Sequence, residues 1–204
     1  MLDAKIADVL GKLRWFGRAA FLLEDRLKIY FDPFEMPDGL PAADVVLITR
    51  NHPEHCSIPD VMKVSRTQTV VVGPADCACR FRLNQLALTD GQTKPVLGAT
   101  VTGIAAPHGG IGFLLEVGGV KIYHAGDSLA EPEGLDADIA LLPVGADLMD
   151  PRAAAAFARR LKARAAVPMH FSPESASRAE EFLTAARAEG LEAFALQRPV
   201  LSPR

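Results

Sequence analysis

Val45-Val46-Leu47-Ile48-Thr49 runs straight into Arg50-Asn51-His52-Pro53-Glu54-His55. The first five residues are apolar or β-branched, the composition of a strand buried on both faces. The next six are polar and include two imidazoles and a carboxylate, so three good types of metal ligand leave one strand end together. The chain has five histidines in all. Further candidates, His108, Asp127 and His170, each lie at the end of a later apolar segment. The spacing predicts a site assembled from strand ends.

Upstream, an amphipathic leading segment predicts a helix. Strands are then expected over Leu13–Phe16, Ala19–Leu23 and Leu27–Phe31, with Glu24-Asp25-Arg26 as a tight connection and Asp32-Pro33 ending the third. Downstream, a helix is predicted over Ile58–Val64, a strand over Thr69–Val72 and a helix over Pro74–Arg82. The pattern then turns nearly all β: Leu86–Leu88, Thr100–Ala105, Gly112–Val117 and Val120–His124, with Gly118-Gly119 as a hairpin turn. The chain closes with a strand over Ile139–Pro143, a helix over Pro151–Ala163 behind Asp150 as N-cap, a strand over Ala166–Met169, a helix over Pro173–Ala188 and a strand over Glu192–Leu196. Hairpins impose antiparallel pairs, so two sheets face to face between helical layers fit better than one doubly wound parallel sheet. Without repeat or long linker, residues 1–204 read as one domain.

The 204 residues suffice for one sizeable core. A formal charge of −3 gives no basic surface for nucleic acid. The cationic run Arg159-Arg160-Leu161-Lys162-Ala163-Arg164 complements a helix C-terminus. No apolar stretch has the length of a secretory or membrane segment, and three cysteines fit a reducing cytoplasm. A small-molecule substrate is therefore expected, with neither nucleic acid nor membrane as partner. Cys56, Cys77 and Cys79 read as packing residues.

Taken one at a time, the candidates have ordinary roles: Asp127 as a turn residue or cap, His108 as a loop histidine, His170 as a hydrogen-bonded core residue. Taken together, they form an ordered pattern. Two histidines and a carboxylate, then a histidine, then Gly126-Asp127 after a strand, then a last histidine after a strand, resemble the metallo-β-lactamase superfamily. The pattern is similar in particular to the small metal-dependent hydrolases that include ascorbate phosphate lactonase. Trp15-Phe16-Gly17-Arg18-Ala19-Ala20-Phe21, Ile29 to Phe34, Ala43 to Thr49, Ile122 to Ser128, Asp138 to Pro143 and Pro168-Met169-His170-Phe171 carry the likeness along nearly the whole chain. The resemblance implies an α+β fold, a four-layer αββα sandwich with the site at one edge between the sheets. By position, His52 and His108 would serve a first metal, Glu54, His55 and His170 a second, and Asp127 would bridge. His124 would brace Asp127 from behind.

Three departures shape the expected chemistry. Arg50 stands where the family has its first metal-binding histidine, Glu54 replaces an aspartate, and Arg18 replaces the histidine after Trp-x-Gly. A guanidinium stays protonated and has no lone pair to give, so Arg50 cannot be a ligand. One divalent ion is therefore expected rather than two, zinc first, with manganese, iron or nickel also suited. In the expected hydrolase of an ester, lactone or phosphate-bearing metabolite, Asp127 would orient the attacking water or take its proton. Arg50 would supply fixed positive charge, and Arg18 would help Arg50 hold an anionic substrate. The alternative is a protein that has lost catalysis and binds an anionic metabolite. A nuclease would need an RNA-gripping insertion for which the chain has no room.

Overall fold

The computed structural model describes residues 2–199, apart from the His108 side chain. Helix α1 (Ala4–Gly11), capped by the Asp3 carboxylate, leads into the first sheet. Its strands lie in chain order: β1 (Leu13–Gly17), β2 (Ala20–Glu24), β3 (Lys28–Phe31), β4 (Val45–Leu47), β5 (Val70–Gly73) and β6 (Asn84–Ala87). The first three form an antiparallel meander, and β3 to β6 run parallel. Side chains alternate across this sheet, as its two-residue period requires. Phe21, Leu23, Ile29, Phe31, Val45, Leu47 and Val72 face the main core, while Leu22, Tyr30, Val46 and Val71 face a smaller apolar cluster on the other side. Helix α2 (Ile58–Val64) covers that cluster with Val61 and Val64, joined by Cys77 of the short helix α3 (Ala75–Ala78).

The second sheet has seven strands in reverse spatial order: β7 (Thr93–Val96), β8 (Ala99–Ala105), β9 (Ile111–Val117), β10 (Val120–His124), β11 (Ile139–Pro143), β12 (Ala165–Met169) and β13 (Glu192–Ala193). Strands β7 to β10 are antiparallel and β10 to β13 parallel. Helices α4 (Pro151–Arg160) and α5 (Ala176–Ala188) pack on β11 and β12, burying Phe157 and Phe182. Strand β11 is consequently apolar at every position, since both of its faces are covered. Helices, sheet, sheet, helices: this is an αββα sandwich. Each sheet repeats one plan, an antiparallel meander followed by a parallel ladder, although no sequence repeat announces it.

Several elements differ from expectation, among them helix α4, which ends at Arg160 rather than Ala163. The helix foreseen over Pro74–Arg82 stops at Ala78, because Arg80 N and Phe81 N bond carbonyls three residues back and the turn tucks Phe81 into the smaller cluster. Strand β7 carries Pro95 and mostly exposed side chains, a composition that hides an edge strand from any apolar pattern. Strand β13 ends at Ala193 rather than Leu196. Among the described residues, no helix is long and apolar enough to cross a membrane.

Candidate metal centre

Parallel strands deliver their C-terminal ends to the same edge of a sheet, and the candidate residues gather there. After β3, Asp32 is fully buried, with φ 39°. Its Oδ1 accepts from Thr49 N (2.8 Å) and its Oδ2 from the Thr49 hydroxyl (2.6 Å), which fixes the exit from β4. A tight turn follows, in which His55 N and Cys56 N both donate to the His52 carbonyl, and it turns the His55 ring inward. His55 Nδ1 lies 2.7 Å from Asp32 Oδ2 and donates its proton there. In the neutral ring the lone pair therefore lies on Nε2, toward Asp127.

The second sheet contributes from the opposite wall. After β10, Gly126 (φ 65°) brings the chain so close to Thr49 that a side chain there would press on it. Gly126 N donates to His124 Nδ1 (3.2 Å), and His124 Nε2 donates to the Ala19 carbonyl (2.9 Å). His124 is fully buried and burial lowers its pKa, so it braces the Asp127 loop as a neutral ring. After β12, His170 has φ 59° and donates its backbone N–H to the Arg18 carbonyl (2.9 Å). Arg18 itself has φ 48°. Three residues at one strand-end cluster, Arg18, Asp32 and His170, thus hold left-handed backbones that few non-glycine residues adopt.

His55, Asp127 and His170 converge. One donor atom from each lies within 4.8 Å of the other two, and this is the metal-capable group found among the described residues. His55 Nε2 is 3.5 Å from Asp127 Oδ2, and the two imidazole rings stack with centroids 5.5 Å apart. The Nε2 atoms of His55 and His170 are buried and have no hydrogen-bond partner. An unsatisfied buried polar atom is costly, and two facing one carboxylate call for an occupant. Arg50 Nη2 lies 2.5 Å from Asp127 Oδ2 on the other side.

The charges follow from this geometry. Burial works against a charge on His55, but Asp32 and Asp127 outweigh it and raise its pKa to about 9. Burial lowers His170 to about 4, with the neighbouring His55 charge acting in the same direction. Burial also opposes ionisation of Asp127, yet His55 and Arg50 together hold its pKa at about 2. Without an ion, the protein therefore carries an alternating chain: Asp32 negative, His55 positive, Asp127 negative, Arg50 positive.

Glu54 and His52 lie nearby but outside this group. Glu54 pairs loosely with Arg18 (3.6 Å), and the His52 ring is 6.0 Å from that of His55, its Nδ1 facing Glu54 N (3.4 Å). His108 sits on the 3-10 turn Pro107–Gly109, and its side chain lies outside the described residues. Asn51 accepts from Arg80 (2.6 Å). Sequence reasoning missed Asp32 as a site residue: Asp-Pro after a strand reads as a terminator, and its one signal was its place in the Ile29-to-Phe34 likeness. A cavity of about 400 Å³ opens over the group, lined by Arg18, Arg50, Glu54, Asp127 and His170 among others. A larger one, about 680 Å³, lies elsewhere, beside Arg159, Lys162 and Arg187 at the helix C-termini, away from any ligand group.

Residues 12–170 match the family model described as the beta-lactamase superfamily domain. The chain belongs to this superfamily. A UPF0173 metal-dependent hydrolase of Thermococcus onnurineus is 34% identical over 205 residues, covering 84% of this chain and 90% of that one. Among solved structures, a provisionally named metal-dependent hydrolase of Parabacteroides distasonis superposes with a TM-score of 0.80 at 23% identity, covering 91% and 93% of the two chains. A Thermotoga maritima superfamily member, provisionally named a Zn-dependent hydrolase, gives 0.62 at 26%, covering 84% of each. Superfamily architecture and the strand-end cluster thus coincide in one chain, with Arg50 among the cluster's neighbours.

Proposed function

We propose that the protein is a single-domain, metal-dependent hydrolase acting on an ester, lactone or phosphate-bearing small molecule. It would hold one divalent ion, zinc first, through His55, Asp127 and His170. The observation that carries this is the convergence of one donor atom each from His55, Asp127 and His170 within 4.8 Å, with both imidazole Nε2 atoms buried and outside any hydrogen bond. Two imidazole nitrogens and a carboxylate oxygen suit zinc, and manganese, iron or nickel by geometry and supply. A histidine whose other nitrogen donates to a buried carboxylate is the usual form of a metal-ligating imidazole. Three ligands leave a position open for water, as a catalytic site requires. The names of the relatives agree with this chemistry.

When bound, such an ion supplies Lewis acidity and a water whose pKa falls toward ~7. The rest falls to the chain's own groups. Asp127, ionised through the pull of His55 and Arg50, orients the attacking water as a hydrogen-bond acceptor. Arg50 brings a permanent charge to the position a second ion would take, where it stabilises negative charge developing on a carbonyl or phosphoryl oxygen. Arg18, at the cavity mouth, draws in the substrate's anion. Glu54 is then a wall residue rather than a ligand, and His52 stands outside the ligand set.

Metal analysis of protein purified without chelator, followed by assay of aryl esters, lactones and aryl phosphates, tests the proposal. Arg50→Ala should cut turnover by ~10²–10³-fold, the scale of a lost oxyanion donor, while leaving the metal content near one per chain. Full activity in that variant would remove Arg50 from the chemistry. The second hypothesis, an anion-binding protein without catalysis, is favoured by one feature: the Arg50–Asp127 ion pair already neutralises the carboxylate. Absence of bound metal, with no activation by added zinc or manganese, would select it.

A further inference from the structure

We infer that a second cavity, walled by Trp15 and Phe171, receives the non-reacting part of the substrate, and that this part is a planar apolar group joined to the anion held by Arg18. The inference rests on the proposed hydrolase and specifies its substrate class: aryl-type phosphates or carboxylates rather than small hydrophilic anions.

Four observations support it. The second cavity, about 390 Å³, shares Arg18 and Ser172 with the cavity over the His55–Asp127–His170 group, so a molecule spanning both must pass the Arg18 guanidinium. Its size lies within the range of small-molecule sites. Trp15 and Phe171 pack with centroids 4.7 Å apart and their planes tilted by 30°, and the indole N–H is already donated to the Arg18 carbonyl (2.9 Å). The tryptophan therefore offers the cavity only carbon, a surface for a flat apolar group. Of the two arginines bordering this space, Arg198 is tied to the Phe16 carbonyl (2.5 Å) and to Glu35 (3.3 Å). Arg18, 44% exposed in its side chain, lies 3.6 Å from Glu54 and within electrostatic reach of Glu174, and makes no tighter side-chain contact among the described residues, so it can take an anion.

The Arg18 backbone makes this more than adjacency. Its carbonyl accepts from both the Trp15 indole and the His170 backbone N–H (2.9 Å each), so the aromatic wall and the His170 backbone are joined through one residue.

Trp15 is the chain's one tryptophan, so its fluorescence reports directly on this cavity. Phenyl phosphate and inorganic phosphate are titrated into the purified protein, with and without zinc. Phenyl phosphate should shift Trp15 emission saturably and bind at least ~10-fold tighter than inorganic phosphate, the gain expected from burying one ring. Arg18→Asn, chosen because asparagine tolerates a left-handed backbone, should weaken phenyl phosphate by about tenfold or more, the loss of one charge-assisted contact. Phe171→Leu should erase most of the preference for phenyl phosphate over inorganic phosphate. Equal affinity for both anions, or wild-type binding by both variants, overturns the inference. Zinc binding with no response from Trp15 sinks only the subsite. A Trp15 response in protein that never takes up zinc sinks only the metal-dependent activity.

Discussion

Asp32 sets the chemistry of His55 through a single carboxylate oxygen that accepts from both the imidazole and the Thr49 hydroxyl. Asp32→Asn would put an amide donor against one of those donors, and zinc affinity measured by competition with a chromophoric chelator should fall ~10–100-fold. The metal-free protein should also have a stability maximum near pH 6.5. His170 has its pKa lowered to about 4 by folding, so its contribution is complete above 6.5 and declines as pH falls toward 4. His55 has its pKa raised to about 9, so its contribution is complete below 6.5 and declines as pH rises through 9. Urea unfolding in chelator at pH 4.5, 6.5 and 9 checks both arms, and stability still rising from 6.5 to 9 would contradict the His55 assignment. At this scale the sequence is partly legible. Strand-end position marked His55, Asp127 and His170, which the fold brings together. The separation of Glu54 from them was not readable, because it depends on a side chain turning to Arg18.

Among the elements, the connection after β11 controls the connection after β12. Gly145 packs so tightly that a methyl group built on it collides with the carbonyl oxygen of His170. Gly145→Ala should therefore cost ~1–3 kcal/mol, as overpacking does, and should weaken zinc binding by displacing a ligand whose backbone is already left-handed. Thermal melts and a zinc titration of the variant read the two effects separately, and wild-type values in both would show the contact to be slack. Elements with a strong period were legible: β11 is continuously apolar because helices and the opposite sheet cover it, and α2 has its Ser57 cap and Pro59 in the first turn. Edge elements were not. Strand β7, with Pro95 and a solvent-facing side, is held by pairing with β8 rather than by burial of its own side chains. Pairing leaves no mark on composition.

Over the whole molecule, a ligand bound only by the folded state raises stability by mass action. Zinc at about 100 times its dissociation constant adds ~2.7 kcal/mol, which for a chain of this size raises the melting temperature by roughly 5–10 °C. Differential scanning calorimetry with zinc, then with excess chelator, should show that rise and its reversal, and an unmoved transition would leave the site without an ion. The arrangement of two sheets was legible from the hairpins, whereas the shared plan of the sheets was not, since topology can repeat where residues do not. That doubled plan has a consequence for assembly. His55 and its partner Asp32 belong to the first half of the chain, Asp127 and His170 to the second, and neither half supplies the three converging donors alone. An ion held by all three donors would be retained only while both sandwich halves are docked in register, so its release would report the halves parting.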